Sequence, residues 1–380
     1  MPKILSEYNF RDYNFRLLLF VLALNAIGVL AINSAVAGDT SYTNRQLIGV
    51  FGGLIIALLL SLLDYHQILK LSGVVYAGCI VILLAVILSG QITGSAGGSR
   101  RWITLPVLGR VQPSEFVKIG LIVFFSWYLQ RIQEKISRLP ALLTVGAFAA
   151  VPLALILDQP DLSTSIVIMF FITCMIYTAG ISYKWVLGVL GVLIPAVGAL
   201  MYLAQMDILP PFLRGYQINR ILAFLNPGKY AELNLQQNNS EMAIGSGMLY
   251  GKGLFNDTAI SVKNGNFLSE EHTDFIFSVI GEEMGFVGSM LVILLFLLLV
   301  FEFLRMAGKT KDMAGRLICT GMAALVGFQA FTNIAVATGV FPNTGLPLPF
   351  ISYGVSSLIS FYIGIGISLN VGLQQRKLEF

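Results

Sequence analysis

Stretches of about twenty apolar residues recur along almost the whole chain, and a run of that length crosses the ~30 Å hydrocarbon core of a bilayer as helix. They fall at roughly 17–36, 46–63, 71–89, 113–130, 139–157, 162–180, 183–204, 275–301, 316–338 and 350–373. In a chain of 380 residues that is 56% apolar and only 12% charged, this pattern excludes a soluble enzyme. It predicts an all-α polytopic membrane protein, a single integral membrane domain over 1–380 with about ten transmembrane helices. The fifth and sixth runs are separated only by Asp158-Gln159-Pro160-Asp161, where the proline and two acids predict a turn at a membrane surface. No cleavable signal peptide is evident before the first run. Cys79, Cys174 and Cys319 lie inside apolar runs without pairing or metal spacing, and read as small buried hydrophobes.

An even number of crossings places both termini on one side. If that side is cytoplasmic, it carries 14 of the 24 Lys and Arg residues. The opposite side carries nine, five of them in the long 205–274 segment, where charge has little influence on orientation. The bias predicts cytoplasmic termini and large external loops at 90–112 and 205–274, joined externally by the shorter 339–350 piece. Basic residues scattered over short loops are a topology signal and point to no nucleic-acid partner. Polar chemistry gathered on one face predicts a ligand handled at the outer leaflet.

The first external loop contains Arg100, Arg101 and Trp102. Guanidinium groups there suit a phosphate ligand and the indole suits a sugar face; equally, the arginines could snorkel to headgroups and the tryptophan join an aromatic belt. The fourth run opens on "QPSEFVK", with Pro113 at a helix start, Gln112 or Ser114 as a cap, and Glu115 and Lys118 sharing a face. That pair reads either as a structural ion pair or as part of a ligand site. In the long segment, residues 210–227 with Arg214 and Arg220 predict an amphipathic element near the membrane. The glycines 245, 247, 251 and 253 around Lys252 lack the order of a nucleotide-binding loop and read as tight turns and close backbone packing.

"SEEHTDFIFSVIGEE", residues 269–283, is the densest cluster. Asp274 sits at the outer entrance of the eighth run, where it reads either as a helix N-cap, shared with Thr273, or as a reactive carboxylate. His272 either orients it or shapes the loop. Glu282 and Glu283 lie about 12 Å farther along the helix axis and predict an inward polar seam. The prolines 342, 347 and 349, followed by Ser352 and Tyr353, predict irregular backbone lining a cavity, with Gln329 and Asn333 in the same polar interior.

The stretches "RRWITL", "QPSEFVK", "DQPDLSTSIV", "NNSEMAIGSGMLYGKG", "EEHTDFIFSVIGEEMGFVG" and "PNTGLPLPFISYGVSS", in this order over most of the chain, resemble the SEDS family of the bacterial cell envelope. Within that family the HTDFIF wording is similar to the elongation-type branch (RodA) rather than the division-type branch. The resemblance implies a peptidoglycan glycosyltransferase of the bacterial cytoplasmic membrane that polymerises lipid II, a polyprenyl diphosphate-linked precursor, into β-1,4-linked glycan at the outer leaflet. It also implies a class B penicillin-binding protein and the elongation machinery as partners, with a precursor flippase or a non-catalytic scaffold as rival roles. The family's essential aspartate matches Asp274, its loop tryptophan Trp102, and its conserved arginine and lysine Arg101 and Lys118, with Glu115 between them. On this reading Asp274 is the base, Arg101 and Lys118 grip the diphosphate, and a divalent cation, magnesium or manganese, could share its charge. Ser163 and Val355 depart from glycines usual in the family, which predicts local packing changes.

Overall fold

The computed structural model describes residues 13–36, 39–92, 101–105, 109–206, 215–256 and 271–374. Arg100, Arg214 and residues 93–100 and 106–108 of the 90–112 loop lie outside them. Thirteen helices and one hairpin occur among the described residues. They are α1 (Phe15–Ala35), α2 (Thr40–Ser61), α3 (Tyr65–Lys70), α4 (Ser72–Ile92), β1 (Ile103–Leu105), β2 (Gly109–Val111) and α5 (Pro113–Ile132). Then follow α6 (Leu139–Asp158), α7 (Leu162–Thr178), α8 (Tyr183–Gln205), α9 (Gly215–Leu225), α10 (Ala231–Ser246), α11 (Ile276–Lys309), α12 (Met313–Ala337) and α13 (Val355–Leu373).

A helix stands at each of the ten apolar runs, but the count of ten spans is corrected: among the described residues seven helices are long and apolar enough to cross a membrane. Ser72–Leu88 and Leu162–Thr178 are apolar but short. Helix α5 carries Glu115, Lys118 and Arg131 in its twenty residues, which depresses its hydropathy. The core lies along α12 and α13, most of whose side chains are buried. Helix α13 packs chiefly on α2, and α12 packs on α11, α7 and α5. Helix α8 contributes no buried side chain among those described. Cys79 and Cys319 are buried and Cys174 is half-buried, all as free thiols.

The two long connections are not simple loops. Ile103–Leu105 and Gly109–Val111 pair as antiparallel strands with Thr104 opposite Arg110. The 205–274 segment contains α9, which falls inside the expected amphipathic stretch, and α10, which sequence patterning does not announce. Helix α10 packs on α11 and α12 through polar side chains. Gln237 Nε2 donates to Val336 O (3.1 Å) and Phe341 O (3.0 Å), and Ser240 Oγ to Ala337 O (2.6 Å).

Helix α11 is broken at Gly285, whose φ of 65° and ψ of −162° are open only to glycine. The turn after α10 fills the break. Lys252 and Gly253 N–H donate to Glu282 O (2.9 Å) and Glu283 O (3.0 Å), while Phe286 and Val287 N–H donate to Met248 O (2.9 Å) and Leu249 O (3.1 Å). Four backbone groups orphaned by the break thus find partners. A Cβ at Gly251 would lie 2.1 Å from Glu283 O, and one at Gly285 would lie 2.3 Å from Gly251 N. Close backbone packing, expected for the glycines of this turn, is what they provide.

Candidate functional site

The segment ahead of α11 is held at four successive carbonyls. Tyr353 N–H donates to His272 O (2.9 Å), Ser352 Oγ to Thr273 O (2.6 Å), Asn333 Nδ2 to Asp274 O (2.7 Å) and Ser278 N–H to Phe275 O (2.9 Å). Buried carbonyls need donors, and here three of the four come from α12 and the 346–353 stretch. Ser352 Oγ also accepts from Leu348 N–H (2.7 Å), and Asn333 Nδ2 also donates to Leu346 O (2.7 Å). Phe275, not Thr273 or Asp274, occupies the N-cap of α11, and no side chain caps it. The capping reading of Asp274 is therefore corrected. Its carboxylate is half-buried and faces Gly345, where a Cβ would lie 3.3 Å from Oδ2 and where φ is +68°. Glycine at that position lets irregular backbone pass close to the acid.

The 342–350 stretch is itself pinned from two helices, α7 and α12. Ser163 Oγ on α7 donates to Thr344 O (2.5 Å), Gln329 Nε2 on α12 to Pro347 O (3.0 Å), and Asn333 to Leu346 O as above. Ser163, where the family resemblance leads one to expect glycine, thus ties α7 to the loop beside Asp274. Immediately before it, the turn expected at 158–161 is present. Asp161 caps α7 by accepting from Thr164 N–H (3.1 Å) and also accepts from Gln112 Nε2 (3.2 Å). Arg101 closes this corner: Nε donates to Gln159 O (3.0 Å), Nη2 donates to Pro160 O, and Nη1 lies 3.9 Å from Asp161 Oδ1. The Arg101 side chain keeps 29% exposure and the neighbouring Trp102 is 49% exposed. Arg101 and Asp274 therefore flank one structure, the α7 start and the 344–345 backbone.

Glu115 and Lys118 form the expected i,i+3 pair at 2.8 Å, but they lie one layer below the rim. Lys118 is 0% exposed, and its Nζ also donates to Gln329 Oε1 (2.9 Å), while Glu115 Oε2 accepts from Ser357 Oγ (2.9 Å). The pair supports the floor through Gln329 and Pro347; direct contact with a ligand requires that network to open. Neither Gln112 nor Ser114 caps α5, which starts at Pro113 without a side-chain cap bond. The His272 ring packs against Tyr42 (5.1 Å between centroids) and Tyr353 (5.8 Å).

Glu282 and Glu283 are buried and belong to the α11 break, not to the rim. Lys252 Nζ donates to Glu282 Oε1 (2.6 Å) and Ser34 Oγ to Glu283 Oε1 (2.5 Å), so the pair joins α1, α11 and the turn after α10. Among the described residues no three His, Cys, Asp or Glu side chains converge as metal ligands. An apolar groove of about 470 Å³ runs between α7, α11 and α12, lined among others by Phe170, Cys174, Val300, Phe328 and Phe331. Phe331 is two residues from Asn333, so the groove ends close beneath the rim. Asn333 and Ser163 are the positions whose local importance sequence reading understated, because each partner is a backbone carbonyl with no signature of its own.

Comparison with known proteins gives one answer. The family model for FtsW, RodA and SpoVE, described as a cell cycle protein, matches residues 15–377. The "Probable peptidoglycan glycosyltransferase FtsW" of Trichlorobacter lovleyi is 35% identical over 98% of this chain and 96% of its own length. The "Peptidoglycan glycosyltransferase MrdB" of Escherichia coli K12 is 31% identical over 96% and 94%. A solved chain from a peptidoglycan synthase complex, described by its coordination of polymerization and crosslinking, superposes with a TM-score of 0.80 at 29% identity, covering 96% of this chain and 99% of that one. The rod shape determining protein RodA of Thermus thermophilus superposes at 0.68 with 26% identity, covering 96% and 98%. With a matched model from end to end and relatives above 30% identity over nearly their full length, this chain belongs to the FtsW/RodA/SpoVE family of polytopic membrane proteins.

Proposed function

We propose that the protein is a peptidoglycan glycosyltransferase that polymerises lipid II into β-1,4-linked glycan at the outer face of the bacterial cytoplasmic membrane during cell elongation, alongside a class B penicillin-binding protein. The relatives' names support the reaction class, and the likeness to a synthase complex supports the partnership. The HTDFIF wording supports the elongation role. The observation that carries the reading is the half-buried Asp274 carboxylate, held on a carbonyl-anchored segment across the 344–345 backbone from the Arg101 corner.

In the reaction, the acceptor's 4-hydroxyl attacks the anomeric carbon of the donor sugar. Asp274 takes the hydroxyl proton as the new C–O bond forms, and the bond to the diphosphate breaks with its electron pair leaving on the phosphate oxygen. Attack from the face opposite the leaving group inverts the anomeric centre. The diphosphate is a good leaving group and needs no protonating acid, so a second carboxylate of the glycosidase kind is not required. The exposed part of the Arg101 guanidinium meets the developing phosphate charge, and Trp102 offers a flat apolar surface to a sugar. Lys118 and Glu115 hold the floor from beneath. The apolar groove between α7, α11 and α12 suits a polyprenyl tail.

Asp274→Asn tests this directly. The amide keeps the shape and removes the base, so purified variant protein incubated with lipid II is expected to form no glycan on a gel while still binding its penicillin-binding partner. Substantial polymer from the variant would defeat the assignment of Asp274 as base. Absence of polymer from the wild-type protein with its partner present would defeat the glycosyltransferase reading itself.

A further inference from the structure

We infer that Asn333 is the positioning residue for Asp274, acting through a single amide nitrogen that clamps the Asp274 backbone to the loop facing its carboxylate. The inference rests on the glycosyltransferase reading above and concerns a residue outside the reacting groups.

Asn333 stands in the last turns of α12 and is 1% exposed. Its Nδ2 donates to Asp274 O and to Leu346 O, each at 2.7 Å, and its Oδ1 makes no hydrogen bond. Both partners are carbonyl oxygens, which can only accept, so the amide must present its nitrogen to them. The two carbonyls belong to the two sides of the site. One is that of the proposed base; the other follows Gly345, where an added Cβ would lie 3.3 Å from Asp274 Oδ2. A side chain that merely filled this space would pack but would not set that separation. The other anchors are different in kind: Ser352 holds Thr273 O, and the Tyr353 N–H holds His272 O, both one or two residues upstream of the acid. Asn333 alone, among the bonds described here, reaches both the Asp274 carbonyl and the facing loop.

The chemistry of the amide defines a graded test. Asn333→Leu removes both donors. Asn333→Asp is nearly isosteric, and a carboxyl enclosed against two carbonyl oxygens is favoured in its neutral form, because burial and the two dipoles disfavour its charge. Protonated, it keeps one donor; ionised, it keeps none and repels both carbonyls. The kcat for glycan formation from lipid II is therefore expected to fall in the order Asn, Asp, Leu, reaching about a hundredfold for Leu, the scale of a misplacement near 1 Å. The KM for lipid II should stay within about twofold, since the binding groups are untouched. The Asp variant should also acquire a loss of activity as pH rises through the new carboxyl's titration, which neither the wild type nor the Leu variant shows.

All proteins are assayed with the partner present, at equal folded concentration judged by monodispersity in detergent, with Asp274→Asn alongside. The graded kcat with the new alkaline limb supports the inference. Equal kcat for the Asp variant and the wild type at every pH overturns it, as does a Leu variant of undiminished kcat or one whose loss lies wholly in KM. Should the Leu variant fail to fold, the Asp variant's pH profile decides alone. If the wild type polymerises and Asp274→Asn does not while the Asn333 variants are unaffected, only this inference fails. If Asp274→Asn polymerises normally, the underlying reading fails instead.

Discussion

The Lys118 ammonium has no exposed surface: Glu115 Oε1 lies at 2.8 Å, Gln329 Oε1 at 2.9 Å, and the Phe361 ring centroid at 5.7 Å. At the scale of single residues this decides what mutation should do. Lys118→Met leaves the Glu115 carboxylate buried with only the Ser357 hydroxyl among its named partners, and breaking one half of a buried pair costs about 3–5 kcal/mol. Replacing both residues by methionine removes the stranded charge and should recover most of that loss. Thermal unfolding of the single and double variants in one detergent measures the difference, and a single variant as stable as the wild type would contradict the closed network. The i,i+3 spacing made the pair legible in the sequence. Its enclosure was not legible, because Gln329 is 211 positions away and amide side chains carry no pairing signal. The same limit hid Ser163 and Asn333, whose partners are carbonyls that every residue possesses.

Among the elements, α10 and α11 show what hydropathy can and cannot report. The apolar runs announced every long helix, since a helix in lipid must be apolar along its exposed sides. Helix α10, "AELNLQQNNSEMAIGS", has no apolar stripe, because its inward face satisfies backbone carbonyls instead of filling a core. The break in α11 was equally silent: a glycine within an apolar run reads as a packing position, and its counterpart Gly251 sits 34 residues earlier in the chain. Gly285→Ala imposes a Cβ at φ 65°, ψ −162° and drives it into the Gly251 amide. The backbone strain alone costs about 1–3 kcal/mol. A lowered unfolding temperature, accompanied by loss of protection in amide exchange at Lys252 and Gly253, is the expected result. Unchanged exchange at those two amides would show that the turn does not depend on the break.

For the whole molecule, seven candidate spans and three further helices in the other apolar runs leave orientation to be measured. The basic bias that we take to place both termini in the cytoplasm puts Val340 outside and Lys311 inside, and both are exposed. With the three native cysteines replaced, a membrane-impermeant maleimide should label Val340→Cys in intact cells, and Lys311→Cys only after permeabilisation. The reverse pattern would invert the molecule and remove Asp274 from the outer leaflet.

Helix α11 takes 34 residues in two stretches that meet at the Gly285 break, more than the ~20 that suffice to cross a bilayer. The apolar stretch from Phe286 to Phe301, interrupted only by Gly288 and Ser289, is about 24 Å long as helix and begins one residue after the Gly285 break. Glu282 and Glu283 therefore stand on the polar side of the break, ahead of the apolar stretch and not within it. On the proposed function, a growing strand would then be made at the end of α11 that precedes the apolar stretch, where its sugars need never enter it.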